Sequence, residues 1–96
     1  MCTYVSQKAD IAGSAKGPKG WVDVDTANVY FDYPYHFSGP DVPHTLNIDF
    51  VNESAGANDR IAVELSPDSA RQLVDKILVA LAIGQGLHVE GEDPHC

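Results

Sequence analysis

Cysteine is scarce: the chain has two, at Cys2 and Cys96, with no CxxC pair and no framework of bridges to staple a small fold. A bond between them would need both chain ends to meet, so a small apolar filler is the plainer reading of each thiol. Long apolar runs are missing too. Nothing approaches the ~20 residues that span a bilayer, and residues 1–10 carry no basic segment leading into an apolar one, so a cytoplasmic protein without a membrane partner is expected. Basic side chains are few, with 6 Lys and Arg against 14 Asp and Glu, and a formal charge of -8 excludes a general affinity for nucleic acid. Dinucleotide, P-loop, nucleophile-elbow and zincin motifs are all absent. That pattern argues against hydride transfer, kinase chemistry and the common hydrolases, and no cofactor is predicted.

What remains is an ordinary globular composition, 44% hydrophobic over 96 residues, enough for one core. Residues 3–11 alternate, with Val5, Ala9 and Ile11 on one side, and predict a first strand. Residues 13–20 (GSAKGPKG) read as a loop. In residues 21–35 the apolar set runs Val22, Val24, Thr26 and then Val29, Phe31, Tyr33, a change of parity that predicts a bulge near Ala27 and Asn28. Residues 34–43 carry three prolines and form a loop longer than most hairpin connections. Residues 44–51 alternate cleanly, with His44, Leu46, Ile48 and Phe50 opposite Thr45, Asn47 and Asp49, and residues 60–65 give a fourth strand. Ser66 and Pro67 match a helix N-cap and first position. From there Ala70, Leu73, Val74, Ile77, Leu78 and Leu81 recur at helical spacing until Gly84 or Gly86. The expected fold is α+β, a four-stranded antiparallel meander with one C-terminal amphipathic helix packed on one face (ββββα). Residues 1–86 form the single domain and residues 87–96 an acidic, flexible tail.

The segments GSAKGPKGW, VYFDYP, HTLNIDF and AVEL, with the Ser-Ala-Arg start of the helix, resemble a family of small bacterial proteins of unknown function. The resemblance covers residues 1–81. It implies a single soluble domain and carries over no activity and no catalytic residue, and the acidic tail departs from the family's pattern.

Two constellations could carry chemistry. His36 and His44 bracket the proline-rich loop beside Asp32, Tyr33 and Tyr35; histidine titrates near neutrality and a carboxylate fixes its tautomer, the parts of a general acid/base site. The plainer reading makes His44 the cap of a core face and His36 a solvated loop residue. On the sheet face away from the helix, parity gathers Tyr30, Asp32, Thr45, Asn47, Asp49 and Glu64. Acids on neighbouring strands repel unless Lys8, a cation or a bound proton organises them; otherwise the face is simply hydrated. A third grouping, Cys2 with His36 and His44, has the ligand types for a transition metal but no recognised spacing. Lys16 and Lys19 in the glycine loop lack the P-loop pattern and read as a basic hairpin.

Together these predict a domain that binds a small organic metabolite through Trp21, Tyr30, Tyr33, Tyr35, Phe37 and Asn47, with His36, His44, Asp32 and Asp49 as acid/base groups. The reaction would be a cofactor-independent isomerisation, cyclisation or elimination in a bacterial biosynthetic pathway. The alternative is a non-catalytic accessory or interaction module, and under either reading the exposed aromatics favour a homodimer.

Overall fold

The computed structural model describes residues 5–39, 41–55 and 60–88. Strands β1 (Val5–Gly17), β2 (Gly20–Asp32), β3 (Thr45–Val51) and β4 (Ile61–Leu65) pair antiparallel in the order β1-β2-β3-β4, and helix α1 (Pro67–His88) follows. This is the meander and terminal helix that the alternation and the Ser66–Pro67 cap predict, but the helix meets β3 and β4 only near its first turn and does not lie packed across a sheet face, so Leu73, Ile77 and Leu81 stay exposed. The cap is visible: Ser66 Oγ accepts the Ser69 N–H at 3.2 Å, and the Ser66 carbonyl accepts the Ala70 N–H at 2.9 Å.

Three local expectations are corrected. Residues 13–17 are strand, not loop: the turn is confined to Pro18 and Lys19, and it closes because Gly20 adopts a φ of 109°, which a side chain would oppose. The irregularity in pairing lies on β1, between Asp10 and Gly13, whereas β2 runs unbroken through Ala27 and Asn28. An extra residue in β1 bends the long hairpin, so the parity change in β2 reflects that bend and not a slip in β2 itself. The hairpin tip then reaches β4, where a Cβ on Gly17 would stand 3.8 Å from Ile61 Cδ1. Finally, α1 continues past Gly84 and Gly86 to His88. The proposed tail therefore begins inside the helix, and its remainder, residues 89–96, lies outside the described residues together with Cys2 and Cys96.

The register sorts the sheet into two faces. Val29, Phe31, Leu46, Ile48, Phe50, Ile61, Val63 and Leu65 share one, and all are half-buried. Thr26, Asn28, Tyr30, Asp32, Thr45, Asn47, Asp49, Ala62 and Glu64 share the other. The polar face is the more deeply covered: Asp32 and Thr45 are 0% exposed, Asn47 2% and Asp49 8%. This is not the hydrated face that a plain reading of its acids suggests.

Asp25 ties the chain down after β3. Its carboxylate accepts the Glu53 N–H at 2.8 Å, the Ser54 hydroxyl at 2.7 Å and the Thr26 hydroxyl at 2.9 Å, gripping the short 3-10 turn Glu53–Ala55. These donors, the Ser54 hydroxyl foremost, hold the Asp25 carboxyl well below the usual carboxylate range. A depressed folded value means stability that is full above the unfolded carboxylate pKa and lost as pH falls through the lower folded one. Asp25→Asn is therefore expected to lower the melting temperature at pH 7 and to leave it nearly unchanged in strong acid, which thermal melts over a pH series will check.

Candidate functional site

Asn47 and Asp49 lie two residues apart on β3, so both point to the polar face. Tyr30, opposite Asn47 on β2, donates its hydroxyl to Asp49 Oδ2 at 3.3 Å, and the Arg60 guanidinium approaches the same oxygen at 3.6 Å. Burial, then the Asp49 charge, push the Tyr30 phenol up, which keeps it a hydrogen-bond donor at neutral pH. On the next strand Glu64, opposite Asn47, accepts three backbone N–H groups from the returning loop: Tyr35 at 2.6 Å, His36 at 3.0 Å and Phe37 at 2.8 Å. These bonds, the Phe37 N–H first, hold the Glu64 carboxyl below its ordinary range. The clamp holds Tyr35, His36 and Phe37 beside the sheet, along an open cavity of about 630 Å³ lined also by Tyr30, Asn47, Asp49, Arg60, Ala62 and Val63.

Two atoms at the floor stand out. Asn47 Nδ2 and Asp49 Oδ1 are buried and have no hydrogen-bond partner among the described residues. The other end of the Asn47 amide is engaged, accepting the Thr45 hydroxyl at 2.7 Å, so whichever way the amide is turned one end is left over. Two residues lining the cavity thus each keep a buried polar end without a partner, with a phenol and a guanidinium beside the Asp49 carboxylate.

The structure brings together Tyr30, Tyr35, His36, Phe37, Asn47, Asp49 and Glu64 from the residues that the sequence singles out. It leaves others apart. His44 stacks on Phe31 and Tyr33, ring centroids 5.4 and 4.8 Å away, and takes no part in lining this cavity, because its parity with Leu46 directs it to the apolar face. Asp32, fully buried, accepts the Tyr33 N–H at 2.7 Å and fixes the chain as it leaves β2. Trp21 is exposed, paired with Lys16 beside the hairpin turn, far along the strand from Tyr35. Lys8 does not organise the acids either; it pairs with Glu53 at 2.8 Å, a bond that raises its pKa. No group of three metal-ligating side chains occurs among the described residues, and of the metal trio His36 and His44 lie apart while Cys2 is outside them. Sequence reasoning passed over Arg60 and the clamping role of Glu64. The signal for Glu64 was its shared face with Asn47, and for Arg60 its place just before β4, a rare cation facing acids.

The profile of a family of unknown function, DUF6295, matches residues 1–89. The chain belongs to this family. No match is found among curated proteins or solved structures. Membership in DUF6295 agrees with the segment resemblance from the sequence and adds no activity to it.

Proposed function

We propose that this DUF6295 domain binds a small polar metabolite in the cavity between the polar sheet face and the Tyr35–Phe37 loop, and moves a proton on it without a cofactor. One observation carries the reading: Asn47 and Asp49, which line the cavity, each keep a buried polar atom without a partner. A buried polar group without a partner costs about 1–3 kcal/mol, a burden that a ligand drawing these side chains toward it with complementary hydrogen-bonding groups would remove. A carboxamide, a hydroxy acid or an enolisable carbonyl compound carries such groups. The cavity volume falls inside the range of small-molecule sites.

The acid/base roles follow from the contacts. Asp49 accepts a proton as the general base, Tyr30 donates to the developing charge, and His36 at the loop supplies a second titratable group. Asn47 orients the ligand. His44 and Asp32 drop out of the acid/base set because they lie away from the cavity floor. An isomerase, cyclase or lyase type of reaction suits such a set.

The test is an NMR screen of the intact chain against a fragment library of carboxamides, hydroxy acids and enolisable carbonyl compounds. Fragments should shift the Asn47 side-chain amide and the Tyr35, His36 and Phe37 backbone signals together. A library with no fragment seated on those residues overturns the reading.

A further inference from the structure

We infer that α1 is the element through which two copies of this chain associate. Seven of its large apolar residues, Leu73, Val74, Ile77, Leu78, Val79, Leu81 and Ile83, stand between 44% and 60% exposed. Before Gly84, only Pro67 and Ala70 of the helix are less than exposed, so its contact with β3 and β4 is made near its first turn. Beyond that turn, residues 77–84 (ILVALAIG) are uncharged and apolar on every side for two turns, a pattern that a helix in water does not sustain uncovered.

Area and charge identify the occupant. Seven large apolar side chains at 44% to 60% exposure make one continuous helical surface, and a stable interface draws on about 800 Å² from each partner. The chain as a whole carries -8, which would repel a like molecule if the charge sat on this surface. It does not: α1 has two acids, Asp68 and Asp75, against two bases, Arg71 and Lys76, so the helix is neutral and two copies can close on it. An anionic membrane would be repelled by the rest of the molecule, and no described helix is long and apolar enough to cross a bilayer. A basic partner would find no acidic stripe here. A second copy brings the same uncharged apolar surface, and a two-fold pairing covers both at once.

Sedimentation equilibrium of the full chain should return about twice 10.3 kDa. Ile77→Glu and, separately, Leu81→Glu should raise the dimer dissociation constant at least about a hundredfold by placing a charge in the apolar contact, with circular dichroism unchanged, while Gln72→Glu on the polar side leaves the mass as it is. A readout free of substitutions is hydrogen exchange of the wild type, in which α1 amides should lose protection on dilution. A wild-type monomer at every concentration overturns the inference, as does a dimer that survives both charged variants. Helix-dependent binding of a monomer to phosphatidylcholine vesicles would assign the surface to lipid instead.

Discussion

Glu64→Ala is expected to release the Tyr35–Phe37 loop and with it one wall of the cavity. Three backbone N–H groups converge on this carboxylate. Charge-assisted bonds of this kind are stronger than neutral ones, but the site is near solvent, so each is taken at the low end and the loss comes to about 1–2 kcal/mol. The functional effect should be larger than the stability effect, because Tyr35, His36 and Phe37 lose their place over Asn47 and Asp49. Fragment binding should weaken at least about tenfold, and amide exchange at those loop positions should approach the rate of an open loop. Glu64→Gln keeps one acceptor oxygen and loses the charge, and should fall between. The pH dependence has a definite sign. Folding lowers the Glu64 pKa, so its contribution is complete above the unfolded glutamate pKa and disappears as pH falls through the lower folded value. Urea unfolding should therefore separate wild type from Glu64→Ala at pH 7 and bring them together in strong acid.

The strand β3 shows how far alternation alone reaches. Residues 44–51 alternate without a break, and the structure places Thr45, Asn47 and Asp49 on one face and Leu46, Ile48 and Phe50 on the other. Which face would be covered was not legible there. Apolar parity says that the Leu46 side is the interior, yet a loop three residues beyond β2 folds back onto the Asn47 side through a carboxylate on β4, and such a long-range tie leaves no local trace in the sequence. The same ignorance of long-range geometry merged His44 with His36. Eight positions separate them along the chain, but strand parity sends His44 to Phe31 while the Glu64 clamp draws the His36 backbone toward Asn47. The β1–β2 hairpin failed for a different reason: glycine-rich residues 13–17 look like loop, and cross-strand pairing with Val22, Asp23 and Val24 overrides that weak preference.

Asn47→Leu should separate function from stability. Removing the amide strands the buried Thr45 hydroxyl, at about 1–3 kcal/mol, and also removes a buried polar end whose lack of a partner costs about 1–3 kcal/mol. The side chains are of similar bulk and the two terms offset, so the net change in folding free energy is expected within about 1 kcal/mol of zero. Ligand or fragment affinity should nevertheless fall at least about tenfold, because the donor that orients the ligand is gone. Asp32→Ala is the contrasting case. Asp32 is buried just as completely, but its carboxylate is spent on the Tyr33 N–H, so removing it strands a backbone donor and should cost about 2–3 kcal/mol. If urea midpoints and fragment titrations give this crossed result, the polar residues of the sheet divide into one kept for the fold and one kept for the ligand. If Asn47→Leu instead destabilises as Asp32→Ala does while binding survives, Asn47 is structural and the cavity floor binds nothing through it.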